Sequence, residues 1–459
     1  MRRWIWAILI TLCSQSCLAD YDQGIAAYAT GDYEGALKAW RPAAEAGDPR
    51  AQDQLGDLYG KGQGVTRDEE TAAAWYRKAA EQGYAKAQNH LAFAFERGHG
   101  VPQDRTQAFG WYSKAAAQGL AVAQYNLGTY YRDGIGVPTD YGKALEYFLL
   151  AARQGRSEAE LSVGLMYGYA KGVPQDLQEA ARWYLKAAEH GDELAQFELG
   201  LLYRYGRGLP KDEAHAARLF AQGASHGSRG AQAELADMYR DGIGVQRDYR
   251  KAAELYGQAA RAGNAAAQNN LGVLYDKGRG VPRDIRQAID WYRKAAAQAN
   301  IEGEYNLGVV YERGLGGVPV DDAQAASWYL RAAQRGHAQA QYNLGRLFDV
   351  GRGVPQDYEQ AAVWYQQSAE QGVGPAQINL GVLYANGRGV RRDDVIACVL
   401  WYLAAEERIP LAVKNLRDVR AELTPVQFNE AQSIAQTWQP GAHLPTSSNT
   451  WTERFPLHR

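Results

Sequence analysis

The chain repeats itself with a fixed period, and that constrains the fold more than any other feature. Aromatic or apolar pairs recur at Trp75-Tyr76, Trp111-Tyr112, Tyr147-Phe148, Trp183-Tyr184, Leu219-Phe220, Leu255-Tyr256 and Trp291-Tyr292, each step being 36 residues. Trp328-Tyr329, Trp364-Tyr365 and Trp401-Tyr402 continue the series with steps of 37, 36 and 37. A second anchor, Ala-Gln, keeps the same phase at Ala51-Gln52, Ala87-Gln88, Ala123-Gln124, Ala195-Gln196, Ala231-Gln232, Ala267-Gln268, Ala340-Gln341 and Ala376-Gln377. A period of this length marks a supersecondary unit that buries its apolar face only by stacking on its neighbours. The phase defines ten units between Gly47 and Arg408.

One unit shows how the residues specify two helices. In Ala121 to Asp133, Ala123, Leu127 and Tyr131 fall at i, i+4 and i+8, which is one apolar helix face. Gly134-Ile135-Gly136-Val137-Pro138 stops that helix, because glycine permits a left-handed turn and proline cannot continue. Asp140 then reads as the cap of a second helix, Tyr141 to Gln154, ended by Gly155. The same cap is expected at Asp68, Asp104, Asp176, Asp212, Asp248, Asp284, Asp321, Asp357 and Asp394. Glycine is abundant for a helical chain, 50 of 459 residues, and the units explain it. Two glycines serve the middle loop and one follows the second helix. Another sits inside the first helix, where a neighbouring helix is expected against the bare backbone. The copies depart from the pattern at Ala170 and Ala299, which stand for glycines, and in Gly314-Leu315-Gly316-Gly317, one residue longer. A further one-residue insertion is read near Asp393-Asp394.

This pattern, with Leu-Gly in the first helix, Gly-x-Gly-Val in the loop and Trp-Tyr in the second, resembles the Sel-1-like repeat, a longer-looped relative of the tetratricopeptide repeat. The resemblance covers residues 47–408 and implies an all-α fold, a right-handed α/α solenoid with a concave binding face. It also implies a protein-interaction role in envelope assembly, secretion or signalling control. Residues 20–46, with the short Gly31-Asp32 turn, read as a tetratricopeptide-like capping pair, and 409–438 as C-terminal capping helices with Thr424-Pro425 starting the last one. Residues 439–459 lack periodicity and are expected to form a flexible tail.

At the other end, Arg2-Arg3, the apolar run Trp4 to Cys13 and the small residues to Ala19 read as a secretory signal peptide, 1–19. The run is too short for a permanent span, and no later stretch resembles one. A periplasmic or secreted protein is expected; lipid attachment at Cys17 is the weaker alternative, since Ser14 stands where such motifs carry an aliphatic residue. Only Cys398 then remains, so no intramolecular disulfide is available. The formal charge of −2 invites no nucleic acid.

Catalytic patterns are weak. The recurring aspartates are spaced one repeat apart, so capping is a better reading than paired acid–base chemistry. The Gly-x-Gly-Val loops follow no strand and lack the lysine and hydroxyl of a phosphate loop. The histidines show no metal-ligand spacing, and Cys398 lies in an apolar run. Neither a cofactor nor a metal is expected. The β-lactamase-like label carried by some cysteine-rich relatives rests on paired cysteines that this chain lacks, and S-x-x-K, S-D-N and K-T-G are missing too.

Two first-helix positions avoid the core face and carry the binding expectation. Tyr125, Leu161, Phe197, Tyr305 and Tyr342 occupy the position two before the Leu-Gly leucine, or the valine standing in its place; Leu165, Leu201, Val309 and Arg346 occupy the position after the glycine. Tyr169 and Tyr205 lie close by at the helix ends. Such apolar and aromatic residues with one arginine suit a protein or peptide partner on the concave face. The leading reading is a non-enzymatic periplasmic scaffold or adaptor. A carbohydrate- or peptidoglycan-binding envelope protein is the alternative, on the tyrosines, and a β-lactamase-like hydrolase comes third.

Overall fold

A computed structural model describes residues 21–444. The expected signal peptide, and residues 445–459 of the expected tail, lie outside the described residues. The described residues form two compact units, 21–226 and 227–444. Each is an α/α stack in which successive repeat helices pack on one another; at the C-terminal end Pro410–Arg420 and Pro425–Thr437 both pack on Asp394–Glu406. There is no strand among the described residues.

The repeat is a helix pair of nearly constant length. In the first unit the pairs are Pro49–Lys61 with Glu69–Glu81, Ala85–Arg97 with Arg105–Ala117, Ala121–Asp133 with Tyr141–Ala152, Ser157–Gly168 with Leu177–Glu189, and Glu193–Tyr205 with Glu213–Ser225. The second has Arg229–Asp241 with Tyr249–Arg261, Ala265–Lys277 with Ile285–Ala297, Ile301–Arg313 with Asp322–Gln334, Ala338–Val350 with Tyr358–Glu370, and Gly374–Asn386 with Asp394–Glu406. Helical residues 21–29 and Tyr33–Glu45 precede these pairs, and Pro410–Arg420 and Pro425–Thr437 follow them. The second helix of the third repeat ends at Ala152, two residues short of the expected Gln154.

The repeated aspartate does two local jobs. The Asp140 carboxylate accepts from the Lys143 N–H at 2.9 Å, filling one of the donors a helix start leaves free. Its own N–H donates to the Tyr131 carbonyl at 2.9 Å, closing the loop onto the first helix. The corresponding bonds recur at Asp68 and Asp104 in the first unit and at Asp284 and Asp357 in the second. In the eighth repeat the extra residue forms a 3-10 turn, Leu315–Gly317, and Asp321 still reaches the Tyr311 carbonyl. The tenth repeat corrects the reading of its cap. Asp393 caps the helix and closes on Tyr384, while Asp394 is already helical. No residue is inserted there: Asp393 lies 36 residues after Asp357, and Trp401 therefore stands where the other repeats place their second aromatic.

The second loop glycine is where a side chain is impossible. A Cβ on Gly100, at φ 68°, would lie 1.9 Å from the carbonyl oxygen of Glu69, at the start of the previous repeat's second helix. Gly280 meets Tyr249 in the same way at 2.0 Å. These loops dock on the neighbouring repeat through bare backbone. The alanines that stand for other glycines keep the left-handed conformation, Ala170 at φ 54° and Ala299 at φ 57°.

The core lies between repeats as much as within them. Ala79 and Ala80 of one second helix pack with Ala87 and Leu91 of the next first helix. Tyr184 and Ala187 pack likewise with Ala195 and Leu199. Cys398 is buried among Ile396, Leu400 and Trp401, and burial pushes its thiol up to about 11, which suits a packing role. At the C-terminus Thr424 and Gln427 form a reciprocal capping box. The start of the expected tail is held down: Gly441 N–H donates to the Glu370 carbonyl at 2.7 Å, and Leu444 is buried.

The first-helix face as candidate interaction site

The aromatic pairs divide their labour. The second ring lies over the glycine of the first helix, which is why that glycine is there. A Cβ on Gly128 would sit 2.7 Å from Phe148 Cδ1, and one on Gly308 2.5 Å from the Tyr329 ring. Trp401 takes this place in the tenth repeat, over Gly381, with its indole N–H on the Ile378 carbonyl at 3.1 Å. The first ring of each pair lies closer to the surface. Lys78 lies over Trp75 at 3.9 Å, Lys114 over Trp111 at 3.8 Å and Lys294 over Trp291 at 4.0 Å.

The Ala-Gln anchor is a buried hydrogen-bond seam. Gln88 Nε2 donates to the Ala80 carbonyl at 3.1 Å, at the end of the preceding helix, and its Oε1 accepts from Gln118 at 2.8 Å. Gln52, Gln124, Gln268 and Gln341 bond on both sides in the same way. Two repeats replace the anchor glutamine by an acid. In the fourth, buried Glu160 faces His190 at 2.9 Å. In the eighth, Glu304, 1% exposed, lies 3.1 Å from Arg331 and 3.5 Å from Arg335. Glu304 comes with two arginines because an unpaired charge at this depth is costly. The sequence carries a signal for the seam, a glutamine 30 residues after the anchor glutamine, as at Gln82, Gln118, Gln154 and Gln298.

A polar ladder also links successive first helices. Pro49–Lys61 meets Ala85–Arg97, and Ala265–Lys277 meets Ile301–Arg313; among the described residues of the ten repeats no two second helices approach as closely. His90 Nδ1 lies 2.8 Å from Asp53 and 3.7 Å from Asp57. Burial alone lowers the His90 pKa, but the Asp53 hydrogen bond and the charges of Asp53 and Asp57 reverse this and hold it above its ordinary value. Asn126 donates to Asn89 at 3.2 Å, and Asn306 to Asn269 at 2.8 Å.

The residues expected at the binding face lie along this ladder, and all nine are half-buried. Tyr125 lies against Phe148, with Arg156 over its other side at 5.1 Å. Leu161 and Leu165 pack at the edge of the core around Tyr184. Phe197 lies against Phe220, and Leu201 follows it one turn on. Tyr305 stacks on His337 at 4.4 Å and leans on Tyr329; Val309 is its neighbour one turn on. Tyr342 leans on Tyr365, and Arg346 is paired with Glu312 of the preceding repeat. The residues thus fall into two groups, Tyr125 to Leu201 in one unit and Tyr305 to Arg346 in the other. Asp53, His90 and Glu198 belong to the same face and were not singled out by apolar character.

The family model described as Sel1 repeat matches ten consecutive segments, 49–84, 85–120, 121–155, 157–192, 194–228, 230–264, 265–300, 301–337, 338–373 and 374–408. The chain belongs to the Sel1 repeat family. No curated protein matches it. Two solved structures are similar to this Sel1 repeat chain over much of its length. One is c5321, a protective antigen present in uropathogenic Escherichia coli strains and displaying an SLR fold. It is 36% identical with a TM-score of 0.65, over 88% of this chain and 94% of its own. The other is a Sel1 repeat protein from Oxalobacter formigenes, 32% identical with a TM-score of 0.54, over 68% of this chain and 89% of its own. The Sel1 repeat is in general a protein-interaction scaffold fold.

Proposed function

We propose that this Sel1 repeat protein is an exported, non-enzymatic scaffold that binds a partner protein or peptide on its first-helix face. The observation that carries the reading is the set of half-exposed apolar and aromatic side chains on that face, against polar neighbours. The four aromatic ones are each braced by a buried ring, Tyr125 by Phe148, Phe197 by Phe220, Tyr305 by Tyr329 and Tyr342 by Tyr365. Braced aromatics lose little side-chain freedom on binding, which favours them as anchors. A periplasmic or secreted location rests on residues 1–19 of the sequence, and the antigenic character of the Escherichia coli relative supports it.

The test is photo-crosslinking in cells from probes at Phe197 and Tyr342, after fractionation of the culture. A discrete protein adduct in the envelope or medium, lost in Phe197→Ala or Tyr342→Ala variants that fold normally, is the expected result. Adducts with purified peptidoglycan fragments instead of protein would replace this reading with the glycan-binding one. Turnover of a chromogenic β-lactam would overturn its non-enzymatic part.

A further inference from the structure

Within residues 21–226 the first-helix ladder stops after the third repeat and leaves a carboxylate without a ladder partner and a buried hydroxyl without a hydrogen bond. In the second and third repeats the residue before the core leucine reaches back one repeat, as His90 does to Asp53 and Asn126 to Asn89, whereas Ser162 of the fourth donates to the Glu158 carbonyl of its own helix. In the fifth repeat that residue is Glu198, and the positions it would reach in the fourth are Leu161 and Leu165. The half-buried Glu198 carboxylate accepts instead from the Tyr169 hydroxyl at 3.1 and 3.2 Å. No cationic side chain among the described residues pairs with it. Burial raises its pKa, and the Tyr169 hydrogen bond only partly opposes this. Close to it lies a hydroxyl with no hydrogen bond. The Tyr184 side chain is 1% exposed and its hydroxyl has no hydrogen-bond partner, whereas the equivalent Tyr76 and Tyr112 hydroxyls donate to Asp57 and Glu96.

The surroundings are apolar. Leu161, Leu165 and Tyr169 follow one another at four-residue spacing, and Phe197, Leu201 and Tyr205 do the same on the next first helix. The two tyrosines at the ends are 56% and 51% exposed. A carboxylate in such a strip pays a desolvation cost that a cation from outside would offset, and a guanidinium can pair with it while lying on the Tyr169 ring.

We propose that this strip docks a segment of a partner protein that sets a lysine or, better, an arginine on Glu198 between apolar side chains seated on Leu161, Leu165, Phe197 and Leu201. The proposal rests on the scaffold reading and names its recognition chemistry. An acidic segment or a phosphate-rich partner would meet Glu198 as a like charge and is disfavoured.

The test pans a random-peptide display library on the full mature chain. Enriched peptides are expected to share one basic residue flanked by apolar ones. Their affinity is expected to fall tenfold or more in Glu198→Gln and in Leu165→Ser, and to stay unchanged in Val426→Ser, at an exposed side chain outside the first-helix face. Glu198→Lys is expected to bind versions of the same peptides whose basic residue is exchanged for glutamate. Circular dichroism of each variant separates lost binding from lost fold; Glu198→Gln keeps the shape and the acceptor for Tyr169. Peptides without a basic residue, or bound equally by wild type and Glu198→Gln, would overturn the proposal. Peptides lost on Tyr305→Ala alone would overturn it while leaving the scaffold reading standing. An absence of enrichment over bare resin would overturn it too, the broader reading then being decided by the crosslinking adducts.

Discussion

His90 Nδ1 stands 2.8 Å from Asp53 Oδ1 and joins the first helices of the first two repeats, with Asp57 at 3.7 Å and the tilted Tyr76 ring at 5.0 Å. The folded chain holds the His90 pKa above its usual value. A raised folded pKa contributes stability that is fully present below the unfolded value and is lost as pH rises through the folded one. Wild type should therefore exceed His90→Gln in stability by about 1 kcal/mol below pH 6, reduced from a buried pair's value because the ring is one-third exposed. The difference should shrink above pH 8. Urea unfolding followed by circular dichroism at pH 5.5 and 8.5 measures it; a difference that grows with pH would refute the pairing.

Gly128 and Gly110 make a matched pair. Both are helical, so replacement by alanine should gain up to about 1 kcal/mol of helix propensity. Gly110 has nothing within 4 Å of the added Cβ, and Gly110→Ala should show that gain. Gly128 faces Phe148 at 2.7 Å and the Ala144 carbonyl at 3.2 Å, so Gly128→Ala should lose about 1–3 kcal/mol by overpacking. Equal denaturation midpoints for the two variants would contradict the packing described.

Ala299 and Arg408 hold left-handed backbone, φ 57° and 58°, where equivalent positions such as Gly336 and Gly372 carry glycine. The Cβ costs about 1–2 kcal/mol in this conformation, and glycine returns about 0.4–1 kcal/mol of that through its freer unfolded chain. Ala299→Gly should stabilise the protein by roughly 0.5–1 kcal/mol, and Arg408→Gly by a similar amount. A fall in urea midpoint for both would show that the left-handed turn is not adopted in solution.

Glu304 should tolerate neutralisation only together with its partners. Arg331→Gln with Arg335→Gln leaves its carboxylate buried and alone, at a cost of about 3–5 kcal/mol. Adding Glu304→Gln should recover most of that loss, since the amide seam of the other repeats becomes available. A triple variant no more stable than the double would argue against Glu304 as the source of the penalty.

Much of this was legible because it is local. The glycine stops, the aspartate caps and the four-residue apolar spacing act within one helix pair, and ten copies reinforce one another. Register across repeats was harder to read. The pair Trp401-Tyr402 resembles the other aromatic pairs, yet Trp401 fills the place of Tyr365 and its kin, as its 36-residue spacing from Tyr365 and its contact with Gly381 both show. Arg346 looked available for a partner, and the structure shows its charge engaged by Glu312. In the sequence Glu198 is an ordinary helical glutamate; only the structure places it on the Tyr169 hydroxyl and close to the unpaired Tyr184 hydroxyl.

The sequence by itself determined the helix pairs, their turns and the number of times they recur, because each depends on residues a few positions apart. The tertiary structure decided which ring of each pair is buried and what the anchor glutamines bind. It also decided which face residues are already engaged and where the ladder fails. Those outcomes turn on contacts between residues some 15 to 37 apart, such as Gly128 with Phe148 and His90 with Asp53, where the pattern within a single helix carries no information.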